Sequence, residues 1–178
     1  PRDAAAATRL SYEARILAVV RPRVTMRLPD LTLHEADGVL FSRHGKIAGE
    51  HLWASQYDRL PAAARQRLAD DMARFFAEVH AVDPQTARDA GATARAGWPP
   101  VAEIARDLEG KLPRGRRDFA DRTLAAGAAL PPDPLGDTFG YFDGHGWNMA
   151  FDHEAGRLSG LFDFADSGFA GVHQEFVY

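Results

Sequence analysis

Three oxygen-bearing side chains near the C-terminal end constrain the fold of this 178-residue chain more than any other feature. Asp143 and Asn148 bracket one glycine-rich turn, and Asp163 lies on a second turn. A short apolar-flanked segment, 149–151, leaves the first turn, and another, 158–162, enters the second. Two such segments paired as a β-hairpin bring both turns to the same end of a small sheet. The sequence therefore predicts that the three side chains share one site.

Carboxylate and amide oxygens are ligands for a hard divalent cation such as Mg²⁺. A carboxylate beside such ligands can accept a proton from a hydroxyl group. Asp143, Asn148 and Asp163 can therefore supply one base and two metal ligands between them. Apolar residues flank Asp163, so its carboxylate needs a cation or, as the competing explanation, an arginine partner. Taken singly, each of the three residues could also be an ordinary turn residue.

Composition and charge exclude several classes of protein. The net charge is −4 with a pI near 6.0, whereas a nucleic-acid-binding domain carries a basic surplus. Cysteine is absent, which excludes disulfides, thiolate zinc sites and a cysteine nucleophile. No apolar run approaches the roughly 18 residues of a membrane span, so no membrane partner is expected. These properties predict a soluble, cytoplasmic protein.

Hydrophobic spacing and turn signals predict the remaining elements. Residues 1–10 are alanine-rich and are predicted to be poorly anchored, with Ser11 as the cap of the first helix. A long amphipathic helix is predicted over 61–81, because apolar residues recur there at steps of three and four. The polar, aperiodic stretch 83–98 is predicted to be a loop. The other predicted elements are a helix over 12–20, strands over 31–35 and 38–42 around an Asp-Gly turn, helical segments over 101–108 and 116–130, and a turn over 131–137.

The candidate site resembles a known catalytic pattern. Asp143, four intervening residues and Asn148, followed later by Asp163, are similar to the motif of the aminoglycoside phosphotransferase and choline kinase-like family, within the protein kinase-like superfamily. The interval of five from Asp143 to Asn148 and the interval of fifteen from Asn148 to Asp163 match the spacing of that family. The similarity is close over 138–176 and looser over 12–82.

Two neighbours of the motif depart from the family pattern. Tyr141 stands two residues before Asp143, where the family usually has His, and Ala165 replaces the Gly that usually follows Asp-Phe. Neither change removes one of the three candidate side chains.

The resemblance implies an α+β, protein kinase-like two-lobe fold. Residues 1–44 would be the remnant of an N-terminal nucleotide-binding lobe with its hinge. Residues 45–178 would be a mostly helical C-terminal lobe with the catalytic β-hairpin. The chain is expected to be incomplete at both ends, because the strands that carry a Gly-rich phosphate loop and a phosphate-anchoring Lys would precede Pro1.

The resemblance also implies a function. It is the ATP- (or GTP-) and Mg²⁺-dependent transfer of a γ-phosphoryl group to a hydroxyl of a small polar molecule, either aminoglycoside-like or another small alcohol. The implied roles are a catalytic base for Asp143, metal ligands for Asn148 and Asp163, nucleotide contacts for Glu13 and for the hinge residues Phe41, Ser42, Arg43 and His44, and substrate contacts for Asp166 and Glu175.

Two alternatives stay open at this point. A nucleotide-binding pseudoenzyme or interaction module of the same fold is favoured by Ala165 and by the lack of a Lys upstream of Glu13. A metal-dependent hydrolase could use Asp143 and Asp163, although the His-rich ligand set of such sites is missing. The identity of the acceptor, the choice between ATP and GTP, and the oligomeric state are not predicted.

Aromatic and imidazole side chains near the motif have simpler interpretations. His145 and His153 lack a third partner at zinc-ligand spacing. Trp147 is predicted to pack beneath the catalytic loop, and His80 is predicted to be a hydrogen-bonded interior histidine.

Overall fold

The computed structural model describes residues 3–131, 133–134 and 136–177 and combines six α-helices with three small antiparallel sheets in those ranges. The helices are α1 (Ala4–Val20), α2 (Ala54–Tyr57), α3 (Ala62–His80), α4 (Pro84–Asp89), α5 (Val101–Asp107) and α6 (Arg117–Ala128). The strands are β1 (Thr32–Ala36), β2 (Val39–Arg43), β3 (Asp137–Gly140), β4 (Met149–Asp152), β5 (Arg157–Leu161) and β6 (Gly168–Gly171). The pairs are β1 with β2, β3 with β6 and β4 with β5.

The first hairpin confirms the strand prediction with a shift of one residue. Ala36 pairs with Val39, which leaves Asp37 and Gly38 as the two turn residues. Their φ angles of 52° and 71° are the left-handed values that a tight two-residue hairpin turn requires.

The two long helices were predicted, but the start of α1 was not. Helix α3 buries Leu68, Phe75 and Val79 on one face, as its periodicity indicates. Helix α1 begins seven positions before Ser11, at Ala4, because the Asp3 carboxylate accepts a hydrogen bond from the Ala6 N–H at 2.8 Å. The described part of 1–10 is therefore helical, which corrects the prediction of a poorly anchored segment.

The predicted loop over 83–98 contains the short helix α4. The Asp83 carboxylate caps it by accepting the Thr86 N–H at 2.8 Å, and Pro84 occupies its first position. The predicted turn over 131–137 lies partly outside the described residues, and its last residue already belongs to β3. The pairing of β3 with β6 was not predicted from the sequence.

A continuous hydrophobic core joins α1 to the C-terminal hairpin. Ile16 and Leu17 of α1 are buried in the same cluster as Phe75, Tyr141 and Phe164. Each fully buried large side chain contributes about 1.5–3 kcal/mol relative to an exposed one. Helix α1 is therefore fixed relative to the hairpin that carries the candidate site. Within the described ranges, no helix has the length and apolarity that crossing a membrane requires.

Candidate active site

The β4–β5 hairpin brings the two predicted turns together. Met149 pairs with Leu161, and one step beyond this pair the Phe162 N–H donates to the Asn148 carbonyl oxygen at 2.9 Å. Asn148 and Asp163 are thereby held at the same end of the hairpin. The hairpin predicted from the spacing of apolar residues is confirmed.

Asp143 is held by the side chain of Asn148. The Asn148 amide nitrogen donates to the Asp143 Oδ2 at 2.6 Å and to the Asp143 carbonyl oxygen at 3.1 Å. The other carboxylate oxygen, Oδ1, lies 3.2 Å from the His145 Nε2. These contacts fix the carboxylate orientation within a single turn of the chain.

Burial raises the pKa of Asp143 above its ordinary value. The negative charges of Asp166 and Asp163 raise this pKa further, while His145 and the Asn148 hydrogen bond lower it. A carboxylate with a raised pKa is a stronger proton acceptor when it is ionised, which suits a general base.

Asn148 and Asp163 offer a donor set that fits Mg²⁺. The Asn148 amide nitrogen is directed at Asp143, so the amide oxygen is the ligand atom that Asn148 can provide. The Asp163 side chain is exposed, and its carboxylate accepts a long hydrogen bond of 3.4 Å from the Ala165 N–H. Mg²⁺ binds proteins through one or two carboxylates or similar oxygens and completes its shell with water and phosphate.

The competing explanation for Asp163, an arginine partner, is not borne out. No described arginine forms an ion pair with this carboxylate. The described part of the chain also contains no cluster of three or more His, Cys, Asp or Glu side chains that could enclose a metal.

Two residues of the site have backbone angles that favour glycine. Phe142 has a φ of 59° and Asp163 a φ of 56°. Such angles cost of the order of 1 kcal/mol or more each and persist only where surrounding contacts enforce them. The Tyr141 hydroxyl supplies one such contact, because it donates to the Phe162 carbonyl oxygen and so ties the first turn to the second.

Glu175 supplies the second contact, in a position that the sequence analysis did not foresee. Its carboxylate accepts the Tyr141 N–H and the Phe142 N–H, both at 2.8 Å. The His80 Nε2 lies 3.2 Å from the same carboxylate, and the Glu175 side chain has no exposed surface. The expectation that Glu175 faces the substrate is therefore wrong, whereas His80 is the interior histidine that was predicted.

Glu13 connects α1 to the metal turn. Its carboxylate accepts the Phe164 N–H at 3.1 Å. Burial raises the pKa of Glu13, and the nearby charge of Asp163 adds to that shift. Glu13 therefore lies beside the candidate metal site, and its nucleotide role remains a prediction.

The predicted hinge lies in and just after β2. Phe41, Ser42 and Arg43 belong to that strand and pair with β1, and His44 follows it. Phe41 is 43% exposed and stacks on His34 at a ring distance of 5.4 Å. Backbone groups on the β2 edge that faces away from β1 have no strand partner among the described residues.

Asp166 lies close enough to Asp143 to influence its pKa. The Asp166 carboxylate is 3.6 Å from the Arg9 guanidinium, and its side chain is 43% exposed. Its backbone carbonyl oxygen accepts a hydrogen bond from Arg95. The residue is therefore near the candidate base, but its carboxylate already has a cationic neighbour.

Trp147 lies at the surface and not beneath the loop as predicted. It is 61% exposed and meets the edge of Trp53 at a ring distance of 4.7 Å. The cause is a close backbone approach, in which the Leu52 N–H donates to the Gly146 carbonyl oxygen at 2.9 Å. A Cβ at Gly146 would lie 1.9 Å from the Leu52 carbonyl oxygen, so the position needs glycine.

The sequence profile of the phosphotransferase enzyme family matches residues 1–178. No curated protein sequence matches the chain.

Among solved structures, the GDP complex of wild-type aminoglycoside 2'-phosphotransferase-IIIa superposes with a TM-score of 0.84 at 21% identity, over 100% of this chain and 62% of that one. The macrolide 2'-phosphotransferase MphH from Brachybacterium faecium gives a TM-score of 0.65 at 17% identity, over 98% of this chain and 59% of that one. The streptomycin–ATP complex of APH(2'')-IIa gives a TM-score of 0.57 at 18% identity, over 96% of this chain and 60% of that one. The chain thus spans about three fifths of the length of these structures, and the likeness confirms the predicted kinase-like fold.

Proposed function

Because the chain belongs to the phosphotransferase enzyme family, we propose that it transfers the γ-phosphoryl group of ATP or GTP to a hydroxyl group of a small polar molecule, with Mg²⁺. The observation that carries the proposal is the convergence of Asp143, Asn148 and Asp163 at one end of the β4–β5 hairpin. Solved relatives bind GDP and ATP, which supports a nucleotide as the phosphoryl donor.

Asp143 acts as the base in this proposal. The acceptor hydroxyl oxygen forms a bond to the γ-phosphorus while the bond from that phosphorus to the β,γ-bridging oxygen breaks. The hydroxyl proton passes to the Asp143 carboxylate, and the nucleoside diphosphate leaves with a phosphate monoester as the second product. Asn148 orients the base through its 2.6 Å hydrogen bond to the Asp143 Oδ2. The other carboxylate oxygen, Oδ1, then faces His145 and the acceptor hydroxyl.

Asn148 and Asp163 would hold Mg²⁺ through an amide oxygen and a carboxylate. When bound, the ion neutralises charge on the phosphates, which is the main electrostatic requirement of phosphoryl transfer. Glu13 and the hinge residues Phe41, Ser42, Arg43 and His44 are proposed nucleotide contacts, and Asp166 is a proposed substrate contact. In this proposal residues 1–44 contribute to the nucleotide-binding lobe, and residues 45–178 form the C-terminal lobe.

The test is phosphoryl transfer by the full-length protein with Asp143→Asn as the variant. Removal of a general base lowers kcat by about 100-fold or more, so we expect nucleotide-dependent phosphorylation of an acceptor in the wild type and nearly none in the variant. Formation of the phosphate monoester is followed by ³¹P NMR.

The matched control is Asp70→Asn on the exposed face of α3. Asp70 accepts a hydrogen bond from Gln66, and an asparagine there can accept the same bond. We expect wild-type kcat for this control. Equal turnover of the Asp143→Asn variant and the wild type contradicts the assignment of the base. Nucleotide binding without transfer to any acceptor indicates a pseudoenzyme.

A further inference from the structure

A small cavity lies beside the turn that carries Asp143. Its volume is about 250 Å³, and its wall includes Arg95, Trp98, Phe142 and Gln174. Phe142 immediately precedes Asp143 in the chain and places this wall next to the turn of the candidate base. Pockets for drug-sized ligands measure about 300–1,000 Å³, which indicates a smaller occupant here.

Arg95 gives this cavity a positive charge. Its side chain is half-buried, and its guanidinium carbon lies 5.2 Å from the centroid of the Phe142 ring. One guanidinium nitrogen donates to the Asp166 carbonyl oxygen, which is a neutral acceptor. No described carboxylate forms an ion pair with Arg95. A partly buried guanidinium with five donors in a planar fork is well suited to an anionic ligand.

Apart from Asp143, the acidic side chains around the cavity are engaged elsewhere. The Asp166 carboxylate faces Arg9, and Glu175 is taken up by the backbone N–H groups of Tyr141 and Phe142. The Asp133 carboxylate lies 3.5 Å from the Nδ1 of His173. The positively charged wall of the cavity therefore disfavours binding of a polycationic ligand and favours binding of an acidic one.

The rest of the wall combines an aromatic surface with polar groups. Trp98 is 61% exposed, and its indole N–H donates to the His173 Nε2 at 3.3 Å. Gln174 contributes an amide that can bind hydroxyl groups. A small polyhydroxylated molecule can place its C–H face on the indole and its hydroxyls on the amide.

We propose that the acceptor is a small hydroxy acid whose carboxylate binds Arg95 and whose hydroxyl faces Asp143. This inference rests on the proposed function and specifies its substrate class. A single guanidinium matches one carboxylate, with which it can form two parallel hydrogen bonds.

The experiment compares acidic and neutral acceptors of equal carbon number in the full-length protein. Gluconate is paired with sorbitol, glycerate with glycerol, and kanamycin serves as the cationic acceptor. KM and kcat are measured for the wild type, Arg95→Gln and Arg88→Gln. Arg88 is the matched control because it also lies over a phenylalanine ring, 4.5 Å from the centroid of Phe169, but does not line the cavity.

We expect the wild type to phosphorylate an acid in preference to its neutral counterpart. Loss of a charge-assisted hydrogen bond corresponds to about a tenfold or larger rise in KM for the acid in Arg95→Gln, with a smaller change in kcat. Arg88→Gln should retain the wild-type KM. The inference is overturned if acid and neutral acceptors have equal KM values, or if the Arg95→Gln variant has the wild-type KM. Either result leaves the proposed phosphotransferase activity itself uncontradicted.

A binding measurement separates this inference from the proposed function. Isothermal titration with gluconate and glycerate measures binding without turnover. If the wild type binds the acids and the Arg95→Gln variant does not, the assignment of the cavity is supported even when no phosphoryl group is transferred. If neither acid binds better than its neutral counterpart, the assignment is wrong. Should Arg95→Gln fail to fold, Arg95→Lys keeps the charge but loses the planar fork, and a wild-type KM in that variant contradicts the proposal.

Discussion

At the residue scale, the turn that carries Asp143 is held by one contact within the turn and by others from distant parts of the chain. Asp143 and Asn148 lie five positions apart in one turn, so their contact follows from local geometry. Glu175 reaches the Tyr141 N–H from 34 positions away, and nothing in its neighbours indicates that it is buried. The exposure of Trp147 likewise depends on the distant segment that includes Leu52. Such contacts are decided by packing, which one sequence does not specify.

We predict that Glu175→Gln weakens both stability and catalysis. A Gln amide has only one acceptor oxygen, so either the Tyr141 N–H or the Phe142 N–H loses its partner. An unsatisfied buried donor costs about 1–3 kcal/mol, which urea unfolding measures. Because the strained Phe142 precedes Asp143, kcat should fall at temperatures where the variant is fully folded.

The control for this variant is Glu154→Gln in the exposed β4–β5 turn, which should leave stability and kcat at wild-type values. Unchanged kcat in folded Glu175→Gln shows that Glu175 does not position the catalytic turn.

At the scale of elements, hairpins with short turns were predictable and the longer-range sheet was not. The β1–β2 and β4–β5 hairpins pair residues close in sequence, so alternation and turn residues predict them. Strand β3 instead pairs with β6, with Asp137 opposite Gly171. A pairing between strands that lie far apart in the sequence leaves no pattern in the residues next to either strand. Helix α4 was missed because its six residues are too few to show a helical period.

We predict opposite stability changes for two glycine substitutions. A Cβ at Gly160 in β5 would lie 2.6 Å from the Arg27 carbonyl oxygen and 2.8 Å from Ile47, so Gly160→Ala should destabilise the fold by about 1–3 kcal/mol. A Cβ at Gly127 in α6 would meet nothing within 4 Å, so Gly127→Ala should stabilise it by up to about 1 kcal/mol.

Chemical unfolding of both variants at one pH gives their free energies of unfolding. A Gly160→Ala variant as stable as Gly127→Ala would show that the β4–β5 hairpin is not closely packed against the 27–47 region.

At the scale of the whole molecule, the N-terminal helix and the C-terminal turns form one unit. The Tyr12 hydroxyl donates to the Ser167 carbonyl oxygen at 2.6 Å, and Glu13 accepts the Phe164 N–H at 3.1 Å. These contacts connect residues about 150 positions apart, and the second one reaches the residue that directly follows Asp163. The kinase-like arrangement was predicted through the family resemblance, whereas composition alone indicated only a soluble mixed fold.

The most direct test of the central claim is isothermal titration of ATP into the full-length protein, with and without Mg²⁺, for the wild type and Asp163→Asn. Asn tolerates the positive φ at this position, so the variant keeps the backbone and removes the charge. We predict that Mg²⁺ tightens ATP binding to the wild type and has little effect on binding to Asp163→Asn. Equal tightening by Mg²⁺ in both proteins would contradict a metal site at the end of the β4–β5 hairpin.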